Sequence, residues 1–180
     1  MKYKLPLGLL ALPIAVALTG CSSTPKSPDV ADSIRKSLDQ SGYKDVSVSQ
    51  DRDKGVVTLT GHVPADQDKM RAEQLAKSMA AGQVVADEIL VLPPNDASAA
   101  KAINADVDKS IEKLFDATLI QNNLHDNVKY SVKNGVLTLT GDVNSQAARD
   151  QAQQLATGIP NVQQVVNEIQ VKNQKATGTN

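Results

Sequence analysis

The feature that most constrains this chain is that it contains the same unit twice. Laying Gly55 to Val91 over Gly135 to Val171, an offset of 80 with no gap, gives sixteen identities in thirty-seven positions. The first copy reads GVVTLTGHV, a helical stretch, then QVVADEILV; the second reads GVLTLTGDV, a helical stretch, then QQVVNEIQV. A single repeat at this spacing predicts two small domains rather than a solenoid, whose arrays need several shorter copies.

Periodicity gives the order of elements in each copy. Ser27 before Pro28 reads as an N-cap with proline at the first helical position, and Val30, Ile34 and Leu38 recur every four residues until Gly42. Val46 to Ser49 and Val56 to Val63 alternate as strands around the polar turn Asp51 to Gly55, which predicts a hairpin. Ala72, Leu75, Ala76 and Met79 then follow helical spacing, as do Ala152, Leu155, Ala156 and Ile159. Val85 to Leu92 and Val165 to Val171 close each unit as a third strand, reached by a crossover of right-handed type. The expected fold is therefore α+β: two repeated αββαβ units, each a small three-stranded sheet packed against two helices.

Pro93 and Pro94 cannot continue strand pairing and mark a boundary, after which Ser98 opens a longer helix through Ile103, Val107, Ile111 and Leu114. The expected domains are residues 28–92 and 99–172, joined by a linker at 93–98 and followed by a frayed tail at 173–180. A unit of this size has a marginal core, and the single cysteine permits no internal disulfide, so docking of the two units would stabilise both.

Ahead of the first unit, Lys2 and Lys4 precede the apolar run Leu5 to Leu18, which is too short for a spanning helix and carries Pro6 and Pro13. It reads as a signal peptide over residues 1–20. The segment Leu18-Thr19-Gly20-Cys21 resembles the lipobox of bacterial lipoproteins, which implies acylation of Cys21 as the first mature residue. With two or three acyl chains such attachment is effectively permanent. In lipoproteins of this kind Ser22 implies release to the outer membrane, with the folded part facing the periplasm. Residues 21–27 are the lipidated Cys21 and a polar tether, Ser22 to Ser27, that reaches about 20 Å at roughly 3.3 Å per residue.

The repeated Gly, Val, Thr-Leu-Thr-Gly and Val run, the Ala/Leu-rich helix and the Val-x-x-x-Ile-x-Val strand together resemble the BON domain of bacterial envelope proteins. Tandem copies behind a signal are similar to the osmotically induced periplasmic protein family and related outer-membrane lipoproteins. The resemblance implies phospholipid binding and a part in envelope integrity or osmotic stress tolerance. It is firmer in the second copy, where Asn161 suits a left-handed turn before Val162. Ala81 stands there in the first copy, followed by Gly82, so that turn is expected to be rebuilt.

The residues offer little chemistry. His62 and His125 do not recur between copies, and neither has a nucleophile at useful spacing, so no catalytic residue is assigned and the protein is expected not to be an enzyme. Asp51, Asp53 and Gly55 resemble the opening of a calcium loop, but the closing glutamate is missing and the second copy shortens the turn to Lys133-Asn134-Gly135. No metal, cofactor or small-molecule substrate is expected. A formal charge of −1, no tryptophan and one phenylalanine argue against nucleic acid as a partner.

Charge points instead to the second unit. Asp29 to Leu92 carries 8 basic and 11 acidic residues, whereas Asn95 to Asn180 carries 8 and 9 and is less repelled by anionic lipid. Phe115, Leu119 and Ile120, beside Lys109 and Lys113, are the candidate lipid-binding residues. The plainer reading puts Phe115 in the core with Ile111 and Leu114. Membrane phospholipid is the expected partner. The alternative is a periplasmic protein-interaction scaffold holding envelope proteins of an outer-membrane or cell-wall assembly, which needs an exposed apolar patch unrelated to basic residues.

Overall fold

The computed structural model describes residues 25–172. The segment read as a signal peptide, Cys21 and the residues 173–180 expected as a tail lie outside them. In the first unit the order is α1 (Ala31–Gln40), β1 (Val46–Asp51), β2 (Val56–Val63), α2 (Asp66–Met79), β3 (Val84–Asp87) and β4 (Leu90–Val91). The second unit repeats it as α3 (Ala97–Gln121), β5 (Val128–Lys133), β6 (Val136–Val143), α4 (Gln146–Thr157), β7 (Gln164–Asn167) and β8 (Gln170–Val171). The two αββαβ units expected from the repeat are present, with the third strand of each divided in two.

Each sheet has its first two strands antiparallel and its third parallel to the second. Val46 pairs with Gly61 and Asp51 with Val56, while Val56 to Leu59 run parallel to Val84 to Asp87. The second sheet repeats this register through Val128 and Gly141, then Val136 and Gln164. Only glycine fits at positions 61 and 141: φ is +110° and +111°, and a Cβ would lie 1.9 Å from the Asp45 carbonyl oxygen or 2.3 Å from that of Asn127. The third strand breaks because Asp87 Oδ1 accepts from the Ile89 amide (3.1 Å) and Asn167 Oδ1 from that of Ile169 (3.2 Å), turning both isoleucines inward.

Two local expectations differ from the structure. The first helix starts at Ala31, beyond Ser27 and Pro28, because its open amides find a distant acceptor: Gln50 Oε1 takes the Val30 and Ala31 amides at 3.1 and 3.3 Å. Ser27 and Lys26, expected in the tether, instead dock on the β1–β2 turn through Arg52 and Asp53. The turn after α2 is rebuilt as expected: Ala81 and Gly82 both hold positive φ, +52° and +82°, where the second copy has Asn161 alone at +67°, and α2 runs to Met79 whereas α4 ends at Thr157, the counterpart of Lys77.

Each unit buries its own core between sheet and helices, around Ile34, Leu38, Leu59 and Ile89 in the first and Ile111, Phe115, Leu139 and Ile169 in the second. A third, smaller cluster joins the units. Val56 and Ala86 meet their repeat equivalents Val136 and Val166. Ion pairs cross this contact in both directions: Lys54 Nζ to Glu168 at 2.5 Å and Lys133 Nζ to Glu88 at 2.9 Å. The hydrogen bond to Glu168 holds the Lys54 ammonium above its ordinary range. Gln164 seals the edge of β3, its Oε1 accepting from the Asp87 amide (3.0 Å) and its Nε2 donating to the Val85 carbonyl (2.6 Å).

Candidate lipid-facing surface and its neighbours

Helix α3 carries every candidate lipid residue, and its two sides have different work. Val107, Ile111, Phe115 and Leu119 are each four residues apart and form the row that packs on the second sheet. Phe115 and Leu119 have no exposed surface, and the Phe115 ring meets Tyr130 edge-on with centroids 5.2 Å apart. As lipid contacts these two are corrected by the structure: a bilayer reaches neither unless the helix leaves its sheet. The core assignment of Leu114 is corrected as well. It lies one position off the buried row and is 47% exposed.

The outward side of α3 includes Lys109, Lys113, Leu114, Ala117 and Ile120, with the acids Asp106 and Glu112 also exposed. Leu114, Ala117 and Ile120 follow one another at three-residue steps, which makes a short apolar stripe, and Ile120 is 56% exposed. Lys109 and Lys113 lie one turn apart beside it. Lys109 approaches Asp106 only at 3.8 Å with both side chains largely exposed, and Lys113 has no ion pair among the described residues. Both ammonium groups are therefore available to an outside anion, since an exposed pair of this kind contributes little. The neighbouring Asp116 is engaged inward. It accepts from the Tyr130 hydroxyl at 3.1 Å and sits 3.2 Å from His125 Nε2. Burial, followed by this bond, pushes the Tyr130 phenol up to about 12.

Among the other residues singled out, His62 and its counterpart Asp142 are both exposed, as solvent-facing strand positions are. Asp51 Oδ1 accepts from the Asp53 and Lys54 amides at 3.0 Å each, the work of a hairpin turn. Among the described residues no cluster of three metal-ligating side chains occurs, and no helix is long and apolar enough to cross a membrane.

Sequence reasoning passed over Asp87. It is 6% exposed, its carboxyl is pushed up by burial against the opposing pull of Lys69, and it lines a cavity of about 300 Å³ between the units. Its only sequence signal is the exchange of Asp87 for Asn167 between otherwise matched strands.

A family model described as the BON domain matches residues 26–93 and again 95–173. Osmotically-inducible protein Y of Escherichia coli (strain K12) is 28% identical over 138 residues, which is 75% of this chain and 67% of that protein. Two solved structures of CdsD, a structural protein of the type III secretion system of Chlamydia trachomatis, align at 16% identity. The C-terminal domain covers 82% of this chain and 99% of its own with a TM-score of 0.33; the other covers 77% and 90% with 0.34. With one matched segment on each αββαβ unit, the chain belongs to the BON domain family.

Proposed function

We propose that this is a non-enzymatic envelope protein, held by acylated Cys21 at the outer membrane, whose second BON unit rests on anionic phospholipid and supports the envelope under osmotic stress. The observation that carries the lipid reading is the outward face of α3, where an exposed apolar stripe lies beside two lysines free to meet phosphate. The lipobox-like Leu18 to Cys21 supports the anchor, and the relative named for osmotic induction supports the stress setting. The site differs from the one expected on sequence: Lys109, Lys113 and Ile120 remain, joined by Leu114, while Phe115 and Leu119 hold the helix in place.

Flotation of the unlipidated mature chain with anionic liposomes tests this. Each lysine near such a surface contributes about 1 kcal/mol, so Lys109→Gln with Lys113→Gln should weaken binding and flatten its salt dependence. Leu114→Ser with Ile120→Ser should weaken it at all salt concentrations and leave the melting temperature unchanged. Normal flotation by both double variants would remove α3 as the lipid site. A chain that ignores liposomes but retains a specific envelope protein would favour the scaffold reading.

A further inference from the structure

The cavity between the units contains a charged pair that the fold does not use. Asp87 and Lys69 both line it, with Met70 and Val136 as apolar wall and Gln163 at the rim. Asp87 is 6% exposed as a residue, and among the described residues its carboxylate receives one hydrogen bond, from the Ile89 amide to Oδ1. Lys69 makes no ion pair within 4.0 Å among the described residues, so the two charges share the cavity without neutralising each other at contact. Of the other acids on this wall, Glu73 is bound to Lys77 at 2.5 Å, and Asp66 stands on the first turn of α2.

The second unit shows what the fold requires here. Asn167 occupies the equivalent position and makes the same bond, Oδ1 to the Ile169 amide at 3.2 Å. An amide therefore suffices for the strand break, and a carboxyl at 87 carries a desolvation cost that the turn does not need. A buried acid with a free oxygen, an unpaired amine and an apolar wall in about 300 Å³ make a receptor for a small molecule bearing both charges.

We infer that this inter-unit cavity binds a small zwitterion with a free amine, its ammonium on Asp87 and its carboxylate or phosphate on Lys69. That chemistry is shared by a free amino acid and by a phosphoethanolamine headgroup. Because the cavity is walled by both units through Asp87 on one side and Val136 and Gln164 on the other, occupancy also ties them together.

The test is titration of glycine and of O-phosphoethanolamine into the ¹⁵N-labelled full chain in maltoside micelles. Saturable shifts of the Asp87, Ile89 and Gln164 amides are expected, with glycine betaine, which lacks an N–H donor, inactive. Tighter binding of O-phosphoethanolamine identifies a headgroup, and tighter binding of glycine a free amino acid. Asp87→Asn should reduce affinity at least about tenfold, the loss of one charge-assisted bond, at an unchanged melting temperature, since Asn167 already fills this role. Lys69→Gln, at a half-buried position on α2, gives a second reading if the first variant misfolds. Absence of shifts at millimolar probe, or equal binding by a folded Asp87→Asn or Lys69→Gln, overturns the inference.

Discussion

Phe115 and Ile120 stand five residues apart on one helix, are both large and apolar, and should respond oppositely to truncation. Phe115 has no exposed surface and packs edge-on against Tyr130, so Phe115→Ala removes a full aromatic side chain and leaves a cavity. Such changes cost about 3–5 kcal/mol, of which the aromatic pair accounts for about 0.5–1.5. Ile120 is 56% exposed, and truncation at an exposed site stays within about 0.5 kcal/mol. For a chain of this size each kcal/mol moves the melting temperature by about 2–4 °C, so Phe115→Ala should melt about 6–20 °C early and Ile120→Ala within about 2 °C of the parent. Far-ultraviolet circular dichroism during heating, paired with urea titration, reads both. A loss above about 2 kcal/mol for Ile120→Ala would refute the register of α3, and the proposed lipid face would fall with it.

Two further outcomes follow from local geometry. Ala81 holds φ +52°, a left-handed conformation that costs a residue with a Cβ about 1–2 kcal/mol; Ala81→Gly relieves this, offset by about 0.4–1 kcal/mol of unfolded-chain entropy. A rise of up to about 1 kcal/mol in urea stability is expected, and a fall would contradict the turn. Tyr130, with its phenol pushed up to about 12 by burial and then by Asp116, keeps its proton in the folded state after the unfolded chain has begun to lose it near the ordinary 10.0. Stability from this group is therefore complete below pH 10 and lost as pH rises toward 12. Absorbance titration of the phenols should show one late ionisation that Asp116→Asn brings earlier.

The sequence reading succeeded where side-chain pattern and backbone geometry share a period. Alternation in Val56 to Val63 and Val136 to Val143, and the Ala/Leu spacing of α2 and α4, are local, so both units were legible. The start of α1 was not, because its acceptor is Gln50, about 20 residues on and brought near only by the hairpin. On α3, Phe115 and Leu114 are equally apolar; only the sheet beneath decides which faces in. Asp87 was hidden for a different reason. An acid at the end of a strand ordinarily reads as a polar surface residue, and the second unit that closes over it, with Gln164 on its amide, lies 77 residues away.

The contact between the units includes four small apolar side chains, two ion pairs, one glutamine laid along a strand edge and the Asn134 side-chain amide donating to the Glu88 carbonyl. As an association between separate molecules so small a patch would be transient. Within one chain, a short connection after Val91 makes the encounter intramolecular, at an effective concentration in the millimolar range, and a weak contact suffices. Duplication thus supplies the first sheet with a tethered partner for its β3 edge, which in a solitary unit would be open to pairing with other chains. It also frees the two copies to diverge: α3 outgrows its counterpart α1 away from the contact, and Asp87 stands in place of Asn167 at the cavity the contact encloses.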